Sequence, residues 1–184
     1  MPLVYQQTIN EHSKLGIWHI TEPELFFKDK VNLIQRIAHP HKRLQHLAGR
    51  YLLNLLQPDF PLEKIKIGEN RKPFLENSDF YFSISHCGDY AASIISKHTQ
   101  VGIDIEIPQP KNVKLQNKFL SHKEIELLQC IAEPEIWLLT TGWSIKEALF
   151  KWNNASAIDF IKHLQILNIK KDEAGFKAQS YVVK

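Results

Sequence analysis

The sequence predicts an α+β fold. Three observations carry that reading. The run from Lys42 to Leu56 has apolar residues at helical spacing, and Phe80–Ile84 with Ala91–Ile95 reads as a hairpin. Two further helical stretches after Ser121 are followed by alternating segments in the tail. A chain of 184 residues suits one compact domain or two small halves sharing a core.

The elements follow in order. Ile17–Ile20 reads as a strand that stops at Thr21-Glu22-Pro23. Leu25 to Ile37 has helical spacing and is broken by Pro40. The second helix, Lys42 to Leu56, aligns Leu44, Leu47, Leu52 and Leu55 on one broad apolar face, and Pro58 and Pro61 close it. Ile65–Ile67 is a short strand, and Asn70-Arg71-Lys72-Pro73 is a turn. The hairpin turns around Cys87-Gly88-Asp89, and Val101–Ile107 is a third strand, stopped by Pro108 and Pro110. Helices are expected over Ser121–Ala132, with a Ser121/Glu124 capping box, and over Glu135–Trp152. Leu164–Ile169 and Phe176–Val183 alternate as strands. A boundary near Lys97–Gln100 divides the chain into an N-terminal half, 1–98, and a C-terminal half, 99–184.

Composition narrows the function classes. The hydrophobic share of 43% and charged share of 23% are ordinary for a globular protein. The net charge of +3 is weak, and the Lys and Arg residues are scattered among 20 acidic ones, which argues against nucleic-acid binding. Cys87 and Cys130 are too few for a disulfide framework and make no zinc spacing. No apolar run approaches the roughly 20 residues that span a bilayer. Met1-Pro2-Leu3-Val4 lacks a basic start followed by an apolar run, so no signal peptide is expected. A cytoplasmic protein with no membrane partner is expected.

Three clusters carry chemistry. In Val101–Ile107 the apolar side chains point one way and Gly102, Asp104 and Glu106 the other, so two carboxylates stand side by side. Such a pair suits a divalent cation, and Mg²⁺ combines a few carboxylates with water and phosphate oxygens. The competing reading is an amphipathic strand with a solvated acidic face. In the last helix Trp143, Glu147 and Lys151 lie four apart on one face, with Lys146 about 100° around from Glu147. A surface Glu147–Lys151 pair is the competing reading, weakened by the large aromatic on the same face. Ser85 and His86 end the strand Phe82-Ser83-Ile84-Ser85-His86-Cys87 and can donate to phosphate. Adjacent strand residues point apart and no G-x-S-x-G elbow is present, so a Ser–His nucleophile is disfavoured. Lys42, Arg43, Arg50, Arg71 and Lys72 are further candidates to meet phosphates.

Taken in order, these motifs resemble those of the 4'-phosphopantetheinyl transferase superfamily, in its larger, single-chain Sfp-like type. Gly102, Asp104 and Glu106 match its G-[IV]-D-x-E strand, and Phe82, Ser85, His86 and Cys87 its F-x-x-S-H-[SC] strand end. Trp143, Lys146, Glu147, Ala148 and Lys151 match its W-x-x-K-E-[AS]-x-x-K helix. Weaker marks are Ala48-Gly49-Arg50 and Lys72-Pro73, where this chain carries Arg71 in a place the family often gives to glycine.

The resemblance implies two similar α/β halves related by a pseudo-twofold, with the active site between them, acting as a monomer. It implies transfer of the phosphopantetheine arm of coenzyme A to a serine of an acyl or peptidyl carrier protein, releasing 3',5'-ADP. The carrier is of fatty-acid, polyketide, nonribosomal-peptide or lysine-pathway type, and the mild basic balance suits its acidic helix. Asp104, Glu106 and Glu147 are the implied ligands of Mg²⁺, or of Mn²⁺ in its place. Glu147 is alternatively the general base, and Asp104, Glu147 and Lys151 form the catalytic set. Arg43, Lys72, Ser85, His86, Lys146 and Lys151 are the implied contacts to coenzyme A. The rival readings are a non-catalytic coenzyme A or nucleotide-binding protein and a metal-dependent phosphohydrolase.

Overall fold

A computed structural model describes residues 2–31, 37–68, 71–153 and 157–183. The fold is mixed α and β, as expected, and the chain divides into two compact units, Met1–Ile105 and Glu106–Lys184.

The first unit contains strands β1 (Leu3–Asn10) and β2 (Ser13–His19), helices α1 (Glu24–Lys28) and α2 (Pro40–Leu56), and strands β3 (Lys66–Ile67), β4 (Pro73–Phe74), β5 (Phe80–Cys87) and β6 (Tyr90–Lys97). A four-stranded antiparallel sheet runs in the order β1-β2-β6-β5. The β5–β6 hairpin forms where alternation placed it. Cys87 opposes Tyr90 across Gly88-Asp89, and Gly88 takes φ 54°, a conformation glycine adopts without a Cβ clash. Strand β1 was not expected. Seven of its eight residues are exposed, so backbone pairing with β2 holds it without the side-chain burial that pattern reading detects.

Helix α2 starts at Pro40, two residues earlier than the spacing suggested. Proline suits the first helical position because its missing N–H would find no partner there. His39 caps it, its Nδ1 accepting from the Lys42 backbone at 3.4 Å. The buried face of α2, including Leu47, Leu52, Leu53 and Leu56, packs with Trp18, Phe27, Phe60, Ala91 and Ile95. Close approach of helix to sheet depends on Gly49, whose carbonyl accepts from Ser93 Oγ at 2.8 Å. A Cβ there would lie 2.6 Å from Ile84 Cγ2.

Helix α1 ends at Lys28, short of the expected Ile37, and residues 32–36 of that expectation lie outside the described residues. Arg43 ties the start of α2 to α1. Its Nε and Nη2 donate to the two Glu24 carboxylate oxygens at 2.7 and 2.8 Å. Its Nη1 donates to the carbonyls of Ile37 and Ala38 at 2.8 and 3.3 Å. At the β3–β4 turn Arg71 takes φ 61°, the left-handed region in which glycine avoids the Cβ cost.

The expected strand Val101–Ile107 pairs with no strand among the described residues. Its place is set instead by side chains of β5, since Ser83 Oγ accepts from the Ile103 backbone at 3.2 Å.

The second unit holds helices α3 (Lys111–Leu115), α4 (His122–Gln129) and α5 (Glu135–Trp152) and the hairpin of β7 (Leu164–Asp172) and β8 (Gly175–Val182). Helix α5 has the bounds its pattern gave, and the Ser121/Glu124 capping box opens α4. The five-residue helix α3 was not expected; Asn112 within it donates to Thr140 Oγ1 of α5 at 3.0 Å. The core of this unit joins Phe119, Leu120, Leu128, Leu138, Leu139, Ile166 and Ile169.

Two stability outcomes follow from the first unit. Gly49→Ala should destabilise it by about 1–3 kcal/mol, read as a lower Tm, because the methyl group meets Ile84. Arg43 first and Lys28 second hold the Glu24 carboxyl down at about 2. This folded-state value lies below the ordinary one, so the stabilisation is complete above about pH 4.5 and is lost as pH falls toward 2. Tm should drop across that window, and Glu24→Gln should lower Tm at pH 7 while flattening the drop.

Candidate functional site

In the first unit, β5 alternates its duties. Phe82 and Ile84 pack toward the core beneath α2, while Ser83 and Ser85 point to the opposite face and are buried. Ser83 holds the backbone of Ile103, and Ser85 Oγ donates to Asp104 Oδ1 at 2.8 Å. The structure therefore brings Ser85 and Asp104 together, and a hydroxyl expected to face phosphate orients a carboxylate. The S-x-S spacing was visible in the sequence, but the partner it selects was not.

His86 lies beside His46 of α2, with ring centroids 5.2 Å apart. Burial, and then the charges of His86, Arg50 and Lys42, push His46 down to about 4, so it is neutral at pH 7. Arg50 is buried next to it, with Nη1 3.4 Å from His46 Nδ1. His41 and Asp89 meet at 2.9 Å near the same hairpin turn. His46 was missed by sequence reading; its only signal is a position one helical turn before Arg50. Lys72 sits half-buried just before β4. Arg43, an expected nucleotide contact, has all three of its guanidinium nitrogens engaged by Glu24, Ile37 and Ala38 in the α1–α2 clamp.

In the second unit, Glu106 Oε1 accepts from the indole N–H of Trp143 at 3.3 Å. Trp143 stacks on Phe160 at 5.6 Å and 15°, and meets Phe119 edge-on at 5.0 Å. Glu147 and Lys151 follow Trp143 at one-turn intervals on α5 and are half-buried.

Lys146, an expected coenzyme A contact, is fully buried, and its ammonium donates to Glu124 Oε1 at 2.5 Å, to the Phe160 carbonyl at 3.0 Å and to the Leu164 carbonyl. Those contacts use all three of its protons, so none is directed at a pyrophosphate or at Glu147. Burial pushes the ammonium below its ordinary pKa, and the contact with Glu124 opposes that shift. A signal for this role existed: Lys146 continues the buried positions Leu139 and Gly142 at helical spacing.

Asp104, Glu106 and Glu147 are all hard oxygen donors, the type Mg²⁺ selects. Asp104 and Glu106 each have one oxygen oriented by a hydrogen-bond donor, the arrangement that fixes metal-binding carboxylates. In that chemistry the donor set fits a hard divalent cation. Among the described residues, no group of three or more His, Cys, Asp or Glu side chains is gathered to hold a metal by protein atoms alone. Water and phosphate oxygens would supply the remaining ligands.

Residues 100–181 match the family model of the 4'-phosphopantetheinyl transferase superfamily, a stretch containing Asp104, Glu106, Trp143, Glu147 and Lys151. The chain is 33% identical over 131 residues to the 4'-phosphopantetheinyl transferase AcpT of Salmonella typhimurium, covering 68% of this chain and 66% of the relative. The AcpT of Escherichia coli K12 is 35% identical over 122 residues, covering 63% and 60%. Enterobactin synthase component D of Salmonella typhi is 30% identical over 119 residues, covering 63% of this chain and 50% of the relative. The matched stretch thus spans between half and about two thirds of these relatives. With the motif residues in that stretch, the chain belongs to the 4'-phosphopantetheinyl transferase superfamily.

Proposed function

We propose that this protein transfers the 4'-phosphopantetheine arm of coenzyme A to a serine hydroxyl of an acyl or peptidyl carrier protein. The observation that carries this reading is the pair of oriented carboxylates, Asp104 on Ser85 and Glu106 on Trp143, in a chain whose α5 presents Glu147 and Lys151 on the Trp143 face. One relative is named as a component of enterobactin synthase, so peptidyl carriers stand beside acyl carriers as substrates.

The serine oxygen attacks the phosphorus that bears pantetheine, the bond from that phosphorus to the bridging oxygen breaks, and 3',5'-ADP leaves. Success depends on in-line positioning and on neutralising negative charge. Asp104, Glu106 and Glu147 would hold Mg²⁺, or Mn²⁺, which when bound supplies charge neutralisation at the pyrophosphate. Lys151 meets the pyrophosphate and stabilises the charge that grows on the departing oxygen. Ser85 keeps Asp104 in place, and His86 with Lys72 contacts the nucleotide phosphates. A neutral His46 beside His86 leaves that corner able to accept or donate a hydrogen bond.

Glu147 alternatively takes the serine proton, directly or through water. The two roles separate experimentally: a base variant, Glu147→Gln, retains cation affinity while losing turnover. We assign the chain to the larger, single-chain type, with residues 1–98 supplying coenzyme A contacts and residues 99–184 the metal ligands and catalytic helix. We further propose that it works as a monomer in the cytoplasm. No described helix is long and apolar enough to cross a membrane.

Incubating the chain with coenzyme A, Mg²⁺ and an apo carrier protein should raise the carrier's intact mass by about 340 Da, and EDTA should block the gain. Asp104→Ala should abolish the gain while leaving the circular dichroism spectrum unchanged. An unmodified carrier across acyl and peptidyl types, with coenzyme A still bound, identifies a non-catalytic binding protein. Release of inorganic phosphate identifies a phosphohydrolase. Lys151→Ala should lower kcat by about 100-fold or more with little change in coenzyme A KM, since its contact strengthens as the leaving group gains charge.

A further inference from the structure

We infer that the buried Glu124–Lys146 ion pair, Phe160 and Trp143 form a positioning relay that sets the orientation of the Glu106 carboxylate. The inference rests on the reading of Glu106 as a cation ligand.

Glu106 lies outside the described helices and strands. The Trp143 indole N–H gives its carboxylate an orienting contact at 3.3 Å. An indole N–H points in the plane of its ring, so whatever sets that plane sets the hydrogen bond. Phe160 lies nearly parallel to it, at 5.6 Å and 15°. Phe160 belongs to the turn between α5 and β7, where no regular hydrogen-bond ladder fixes the backbone. Its carbonyl is instead held by the Lys146 ammonium at 3.0 Å.

The ammonium can occupy that place because Glu124 neutralises it at 2.5 Å. Glu124 is itself fixed from two further sides. Its Oε1 accepts from the Ile166 backbone at 2.8 Å, and its Oε2 accepts from the Ser121 backbone at 2.8 Å. One buried pair therefore joins the start of α4, the middle of α5, the Phe160 turn and β7. From that turn a single aromatic stack leads to Glu106. Glu124 and Lys146 act through other groups and are positioning residues.

The test measures Mn²⁺ binding by electron paramagnetic resonance at saturating coenzyme A, beside Tm in EDTA. Trp143→Phe keeps an aromatic ring and removes the N–H. Phe160→Leu keeps the backbone carbonyl and removes the stack. Each should weaken Mn²⁺ binding about 10-fold, the usual scale for groups that orient metal ligands. The double variant should be no weaker than the worse single, because both act on one hydrogen bond. Trp152→Phe, at an exposed tryptophan of the same helix, should bind Mn²⁺ as the parent does. Glu124→Leu with Lys146→Met removes both charges together, and it should fold yet show the same 10-fold weakening.

Wild-type-like Mn²⁺ affinity in both Trp143→Phe and Phe160→Leu overturns the relay. Weakening in Trp143→Phe alone overturns the link to the ion pair. If the parent chain itself binds no Mn²⁺, the cation site fails, and the relay fails with it.

Discussion

An ammonium group without water around it is unstable unless every proton and the charge itself find partners, and the second unit is organised around meeting that demand for Lys146. Glu124 provides the charge and two carbonyls provide the remaining acceptors. Such a pair contributes little net stability compared with apolar residues of the same shape, while removing one partner costs about 3–5 kcal/mol. Its effect is specificity: the contacts of Lys146 and Glu124 together name one arrangement of α4, α5, the Phe160 turn and β7. Leucine and phenylalanine cores alone accept several near-equivalent packings.

The first unit positions Asp104 through serine hydroxyls and close helix–sheet packing. A strand exposes alternate side chains on opposite faces, and β5 uses both. One face meets α2 closely at Gly49, and the other carries two serines that hold Ile103 and Asp104. The segment bearing Asp104 is thereby fixed by side-chain hydroxyls, although it pairs with no strand among the described residues. Asp104 and Glu106 are two residues apart in the chain, yet each is oriented by its own unit, one by a serine and the other by a tryptophan.

Much of the local structure was legible in the sequence because its causes are local. The apolar spacing of Glu135–Trp152, the Ser121/Glu124 cap and the Gly88-Asp89 turn are all properties of contiguous residues. Strand β1 was not legible, since it buries almost nothing and its partner strand supplies its hydrogen bonds. The reading of Val101–Ile107 as a strand failed for the converse reason. Alternation was present, but the ladder that makes a strand depends on a neighbour.

The same division applies to the charged residues. By itself the sequence determined the family motifs, the acidic pair Asp104 and Glu106, and the shared face of Trp143, Glu147 and Lys151, all matters of spacing along one element. Tertiary structure alone decided which cations are committed to the fold. Arg43 is taken by Glu24 and two carbonyls, and Lys146 by Glu124, Phe160 and Leu164. An ammonium or guanidinium carries the same chemistry wherever it stands. Its role follows from the acceptors that the folded chain brings within about 3 Å of it, and those acceptors come from distant parts of the sequence.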